Sequence, residues 1–473
     1  MRKGKANGGV GLSGHKDNRG VTALAEESSA EDQKTSIFSR DFIFGKVLTW
    51  LTRGGLAIVD YGLISGSNFI LGVMLARWLA PTEYGAYALA FSIFVLVGFL
   101  YQALLLEPLS VFSGTTFRGN TRGYLKVTLW IHWALSLVMC LLLAGAAVIA
   151  RVAGHSPLLS IALAGMTLAT PFLLIHSLGR RSFYLELAPG RAAFASIFYC
   201  VLVIGGVFLF FSLGWLSSFT AFLLMGFGAL ISGIVMVVQL NRLLGPATWD
   251  PTLRETWAKH WKYGRWALGT CVVGWIPNYV YVPLVSSFSG MAAAGELRAL
   301  SNLAAPVLQT YAALGLLFLP YAARVQHEGG RSAASSLTGR LAALFVAGSV
   351  VYWAIILPLK YPLFHFLYAG KYAESIYLIP LFALETTIWS ASLGPAIMLR
   401  AMDAADSLFV ANIIASGVAL VFGIPATRFF GLKGVIWSMI AANSVYVVAA
   451  FVLHARKAAS LKASAAVLGN EII

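Results

Sequence analysis

Charge is scarce in this chain. Only 11% of its 473 residues are Asp, Glu, Lys or Arg, against roughly 25% in an ordinary soluble domain. Hydrophobic types make up 59%, more apolar surface than a fold solvated by water alone can hide. A soluble enzyme is excluded on these grounds. Acidic residues are scarcer still, 19 against 34 basic ones, for a net charge of +15. In a soluble chain that balance would suggest nucleic acid. Here it fits basic loops on the cytoplasmic side of a membrane. There are three cysteines, Cys140, Cys200 and Cys271, each inside an apolar run. They cannot form a disulfide framework, and no CxxC or Cys/His spacing suggests metal. They are read as small buried hydrophobes. No GxxxxGK[ST] occurs, which excludes ATP hydrolysis by a P-loop. No loop much exceeds residues 241–264, so there is no room for a catalytic or nucleotide-binding domain. Residues 1–45 lack the apolar core of a signal peptide and are expected to be a disordered cytoplasmic tail. Their Gly9-x-Gly11-x-x-Gly14 follows no strand and opens no helix, so it is not a dinucleotide fingerprint.

What is abundant is apolar and aromatic: 13 Trp, 18 Tyr and 30 Phe, with a mean hydropathy of +0.78. Twelve apolar runs follow one another, at 54–76, 85–107, 127–150, 157–178, 192–212, 216–240, 265–287, 297–320, 341–359, 375–398, 407–426 and 433–454. Each can cross roughly 30 Å of hydrocarbon as a helix. They are continuous rather than alternating, which excludes strands. The expected fold is an all-α polytopic membrane protein with twelve transmembrane helices. With both ends in the cytoplasm, 27 of the 34 Lys and Arg fall on inner segments and 7 on outer ones. That asymmetry supports an even number of spans.

The longest loop divides six spans from six. Ser67-Asn68-Phe69 and Gly85-Ala86-Tyr87 in the first half match Pro277-Asn278-Tyr279 and Gly295-Glu296-Leu297 in the second, both at an offset of 210 residues. Six spans per half give both halves the same orientation, hence a parallel repeat about an axis along the membrane normal. The expected organisation is an N-lobe over 46–245, a C-lobe over 246–456 and a cytoplasmic tail over 457–473.

Asp60-Tyr61-Gly62-Leu63-x-Ser65-Gly66-Ser67-Asn68-Phe69 leads into Leu75-Ala76-Arg77-Trp78-Leu79-Ala80-Pro81-x-Glu83-Tyr84-Gly85-Ala86-Tyr87. This resembles the first two spans of Wzx-type polysaccharide flippases in the multidrug/oligosaccharidyl-lipid/polysaccharide (MOP) exporter superfamily. Gln102-x-x-x-x-Glu107-Pro108-Leu109 resembles a branch of that group. The motif-level similarity covers about residues 55–115. The resemblance implies two six-helix lobes around a V-shaped central cavity, in a bacterial inner membrane. It implies movement of undecaprenyl-pyrophosphate-linked oligosaccharide from the cytoplasmic to the outer leaflet, for surface polysaccharide assembly. Polysaccharide polymerase and export proteins are then expected partners, with no nucleic acid involved.

Such a substrate needs cations for its pyrophosphate, with hydroxyl, amide and aromatic partners for its sugars. No bond is broken, so no catalytic residue and no cofactor is expected beyond proton or sodium coupling. Charges inside a membrane are expensive and therefore candidates. Asp60 and Glu385 are candidate ion-coupling carboxylates. Asp60 reads equally as the partner of an Arg or a hydrated helix-end residue, and Glu385 as a protonated acid bonded to nearby hydroxyls. Glu107, ending the second run beside Pro108, reads as a cytoplasmic gate or a contact between lobes. Arg298, with Asn302 one turn along, reads as a cavity cation or a residue reaching the outer headgroups. Arg180, Arg181 and Arg265 are candidate pyrophosphate contacts at the loading leaflet, or ordinary anchors. Asn68 and Asn278 occupy equivalent repeat positions and suit either a glycan or a helix bridge. His132 and His176 have no metal spacing and read as core. The alternative is a multidrug and toxin extrusion (MATE-like) cation antiporter. A membrane glycosyltransferase, polymerase or ligase would need a large outer loop, which is missing here.

Overall fold

The structure is a computed structural model that describes residues 40–152, 156–328 and 330–470. By its contacts the chain divides into two units, 1–55 and 56–473. Of the first, only residues 40–55, all helical, are described. Residues 1–39 of the expected disordered tail lie outside the described residues, and 40–45 are helical because helix α1 (Arg40–Trp78) begins there.

The second unit is all-helical among its described residues. The first half continues with α2 (Pro81–Tyr101), a π-helical turn at Gln102–Leu106, α3 (Glu107–Gly114), α4 (Thr121–Val152), α5 (Pro157–Leu185), α6 (Pro189–Ser212) and α7 (Ser218–Leu243). The second half holds α8 (Leu253–Tyr279), α9 (Tyr281–Ser289), α10 (Met291–Glu328), α11 (Gly330–Ile356), α12 (Lys360–Tyr368), α13 (Ile379–Ala391), α14 (Leu393–Ala401), α15 (Ala405–Val421) and α16 (Gly423–Asn470). Nine helices among the described residues are long and apolar enough to cross a membrane, or eleven if two bent pairs each count as one. The bends are 50° between α8 and α9 and 40° within α10. The eleventh predicted run becomes α15, a shorter apolar helix. Its 17 residues extend only about 25 Å at 1.5 Å per residue. The last predicted span and the predicted tail merge in α16, with 471–473 outside the described residues.

Proline explains several irregularities. A proline inside a helix removes the amide that would bond the carbonyl four residues earlier. In hydrocarbon no water replaces it. Pro277 frees the carbonyl of Val273, which accepts from Ser416 Oγ of α15 at 3.0 Å. Pro171 frees that of Thr167, which faces Cys140 Sγ of α4 at 3.3 Å. Pro108 frees that of Leu104 in the π turn, which accepts from His260 Nδ1 of α8 at 3.2 Å. Cys140 thus has a polar partner, and it and Cys271 are only partly buried, whereas Cys200 is buried.

Within the first half, a buried ion pair ties three helices. Asp60 of α1 is fully buried. It accepts from Arg180 Nη2 at 2.7 Å and Nε at 3.2 Å, and from Tyr184 Oη at 2.7 Å, all on α5. Ser196 of α6 donates to its other oxygen at 2.5 Å.

The halves meet where α2 packs on α10 and where the π turn, α2, α3 and α4 pack on α8. The α2–α10 joint is a backbone contact at two glycines. A Cβ on Gly85 would lie 1.7 Å from the carbonyl oxygen of Met291, and one on Gly295 would lie 2.6 Å from that of Pro81. Each would also come within 3.2 Å of the other glycine's amide nitrogen. These are the glycines that match at the 210-residue offset, and they touch each other. Around this seam, Lys371 Nζ donates to Leu79 O at 2.8 Å, and Arg77 donates to Phe366 O. Burial and the neighbouring Arg77 hold the Lys371 ammonium below its usual pKa. The seam lies at the Trp78 end of α1, called the distal end below.

Two outcomes follow. Asp60→Ala leaves a partly exposed Arg180 without its partner, a loss at the low end of the about 3–5 kcal/mol of a broken buried pair. A thermal melt in detergent should show a clear drop, partly recovered by adding Arg180→Gln, and an unchanged melt would rule out the structural role. Gly85→Leu should force the seam apart. In a chain stripped of its native cysteines, a cysteine at Ser301 should then react with an impermeant maleimide from the distal side. It should stay protected when Gly85 is intact; equal labelling in both would refute the seam.

Candidate binding cavity

Proximal to the seam, between the halves, lies a cavity of about 470 Å³. Helices α1 and α2 supply Asn68 and Phe91; α8 and α9 supply Asn278 and Tyr281; α10 supplies Arg298, Ser301, Asn302 and Gln309; α13 supplies Glu385, Thr386 and Trp389; α16 supplies Asn443. Five sequence candidates are therefore gathered in one place: Asn68, Asn278, Arg298, Asn302 and Glu385. The two repeat-related asparagines face the same space from opposite halves.

Arg298 is the cavity's cation. Its guanidinium carbon sits 5.2 Å from the centroid of the Phe91 ring, a cation–π contact. Its Nε is buried without a hydrogen-bond partner. Among the described residues, no carboxylate pairs with it; the three ion pairs found involve Lys126, Arg180 and Lys259. Glu385 is buried on the cavity wall. Its Oε1 accepts from Asn443 Nδ2 at 2.6 Å, and its Oε2 from Thr386 Oγ1 at 3.1 Å. The cavity thus holds both signs, and each charge keeps to its own neighbours.

The distal roof is aromatic. Asn302 Nδ2 donates to Tyr84 Oη at 3.0 Å. The Tyr84 ring lies 6.4 Å from that of Tyr372, which is 5.5 Å from Tyr368. Tyr368 Oη donates to Ala299 O at 2.9 Å. Asn302 also packs within 3.0 Å of where a Gly72 Cβ would be, so a side chain there would disturb it.

The other candidates lie elsewhere. Asp60 and Arg180 bond each other inside the first half. Arg181 does not line the cavity. Arg265 is exposed on α8, its guanidinium 5.5 Å from the Trp266 ring. Glu107 follows the π turn and accepts from Gln102 Nε2 at 3.3 Å. His132 is buried 2.9 Å from Tyr101 Oη, and His176 stacks on Tyr199 at 4.9 Å. Among the described residues, no cluster of His, Cys, Asp or Glu could hold a metal ion.

Sequence reasoning missed Ser301, Gln309, Trp389 and Asn443. Ser301 and Gln309 were findable, because stepping from Arg298 by three and four residues along one helical face passes through Asn302 and Ala305 to Gln309. A lone amide in an apolar run, as at Asn443, carries no such signal.

No protein-family model matches the chain, and no curated protein does. Solved structures do. An inward-facing multidrug resistance MATE family transporter of the MOP superfamily superposes with a TM-score of 0.66 at 15% identity, over 86% of this chain and 99% of the other. The lipid II flippase MurJ, in an inward closed conformation, gives 0.65 at 13%, over 86% of each chain. A MOP superfamily transporter from Pyrococcus furiosus, described as having a binding pocket of reverse polarity, gives 0.61 at 14%, over 88% and 96%. These neighbours are membrane transporters and flippases rather than enzymes. At such identities the likeness shows a shared fold, and that fold is the one of the MOP superfamily transporters.

Proposed function

We propose that this protein is a flippase for an undecaprenyl-pyrophosphate-linked oligosaccharide, working in a bacterial inner membrane with both termini in the cytoplasm. The observation that carries this reading is Arg298. A cation at the bilayer centre costs about 2.5–3.5 kcal/mol on insertion scales. Here it faces a cavity with no carboxylate paired to it. Such a group suits an anionic ligand, and a guanidinium fork suits phosphate oxygens. Asn68, Asn278, Ser301 and Gln309 offer donors and acceptors to sugar hydroxyls, and Phe91 and Trp389 offer ring faces. The polyprenyl tail stays in lipid while the headgroup crosses. Rocking of the two halves about the α2–α10 seam alternates access to the cavity. Glu385 is the candidate for coupling to a proton or sodium gradient. A polymerase and export proteins would take the flipped product.

A second reading, cation antiport, rests on that same Glu385, a buried acid on the cavity wall. The unneutralised Arg298 opposes it, because a cationic drug would meet a like charge.

Deleting the gene separates the two. The flippase reading expects a complete pyrophosphate-linked oligosaccharide to accumulate on the cytoplasmic leaflet with loss of surface polysaccharide. An unchanged lipid-glycan pool with new sensitivity to cationic dyes would favour antiport. Loss of a hydrogen bond to a charged group weakens binding by about tenfold or more. Arg298→Ala should lower glycan export to that extent while the folded protein persists in the membrane. Export at the native level would remove Arg298 from the mechanism.

A further inference from the structure

A second pocket, lined by lysines and aromatic rings, lies outside the central cavity. About 700 Å³ of space opens between α3 and the N-terminal half of α8, lined by Phe112, Thr116, Lys259, Lys262, Tyr263 and Trp266. We propose that this pocket binds the phosphate of a membrane lipid, holding the headgroup at the proximal mouth of the bundle.

The local architecture presents these side chains on a fixed support. In the 27-residue helix α8 only Thr256, His260 and Gly264 are fully buried. They recur every four residues and form one docking edge. His260 Nδ1 donates to Leu104 O at 3.2 Å, so its Nε2 is free to accept from Tyr124 Oη at 2.6 Å. One turn on, a Cβ at Gly264 would sit 2.8 Å from Ala103 O. This edge is therefore pinned to the π turn and to α4. The other side of the helix is left open, with Lys262, Tyr263 and Trp266 all exposed.

The chemistry of the open face is that of an amphiphile site. Lys259 bonds Glu255 at 2.9 Å, but Lys262 has no carboxylate partner among the described residues. Threonine hydroxyls and the Tyr263 phenol add hydrogen-bonding capacity beside the ammonium groups. Phe112 and Trp266 supply an apolar floor for the first carbons of a tail. Trp266 is 75% exposed, the placement of an indole at a membrane interface. A soluble anion would use the charges and leave the floor empty; a lipid-borne phosphate uses both. Steps of three and four residues from Lys259 through Tyr263, Ala267, Thr270 and Gly274 reach Asn278 in the cavity. Lys259 in the pocket and Asn278 in the cavity thus stand along one face of α8, about 28 Å apart by helical rise. What becomes of the lipid afterwards rests on the proposed flippase reading; the headgroup site does not.

The test uses the full chain, purified into phosphatidylcholine nanodiscs, with Arg298→Ala to silence the cavity. Farnesyl pyrophosphate and phosphatidylglycerol are titrated as lipid probes, with inorganic pyrophosphate as the tail-less control. At least one lipid should bind. Adding Lys259→Gln, at a half-buried position, and Lys262→Gln, at an exposed one, both away from the buried edge of α8, should weaken it about tenfold or more, as expected for two ammonium groups at a membrane surface. Stronger binding of farnesyl pyrophosphate would identify the isoprenoid pyrophosphate as the ligand, and stronger binding of phosphatidylglycerol a bulk anionic lipid. The proposal fails if neither lipid binds, if the lysine substitutions leave affinity unchanged, or if inorganic pyrophosphate binds as tightly as farnesyl pyrophosphate. Native export by Arg298→Ala would count against the flippase reading without touching this result.

Discussion

Hydrocarbon supplies no hydrogen-bond donor, and the rest of the structure follows from meeting that constraint inside the protein. Three prolines, Pro277, Pro171 and Pro108, each free a carbonyl that meets a side chain from another helix: Ser416 for Val273, Cys140 for Thr167, His260 for Leu104. The same rule explains Asp60, whose two oxygens together accept four hydrogen bonds from α5 and α6. Against this background, Arg298 stands out as a cation with an unbonded nitrogen and no carboxylate partner. Other buried side chains also carry an unbonded polar atom, but Arg298 is the cation among them, and it lines the cavity.

The glycine seam supplies the second half of the account. Two transmembrane helices can approach at backbone distance only where side chains are absent. Gly85 and Gly295 provide that on one element from each half. That joint is flanked by hydrogen bonds across the halves, from Lys371 to Leu79 O, from Arg77 to Phe366 O and from Asn302 to Tyr84 Oη. At the proximal contact, His260 of α8 donates to Leu104 O of the π turn and accepts from Tyr124 of α4, and Gly264 lies against Ala103 O. Both contacts between the halves therefore pair a glycine at backbone distance with directed hydrogen bonds.

Much of this was legible in the sequence. Apolar length and the distribution of Lys and Arg gave an all-helical membrane body. Lone polar residues in apolar runs led to Asn68, Asn278, Arg298, Asn302 and Glu385, because the cost of burying them is local and readable. Pairings across long separations were not readable. Asp60 and Arg180 are 120 residues apart, so one read as a coupling acid or an arginine's partner and the other as a loading-side contact or anchor. Gly85 and Gly295 were visible as a repeat, but repetition alone does not say that the repeated parts touch. Lys259 and Lys262 read as ordinary inner-loop charges, since only the docking of His260 and Gly264 defines the face they share. The shortness of α15 escaped because hydropathy does not show where a helix ends.

The central claim is that a pyrophosphate-linked headgroup passes through the Arg298 cavity as the seam opens. The direct test is to reconstitute the protein in vesicles with a fluorescent polyprenyl-pyrophosphate oligosaccharide and a reducible cysteine pair bridging α2 and α10 at the seam, with Cys140, Cys200 and Cys271 replaced. The account predicts leaflet transfer that stops when the pair is oxidised and returns when it is reduced. Transfer that continues at the same rate with the seam cross-linked would contradict it.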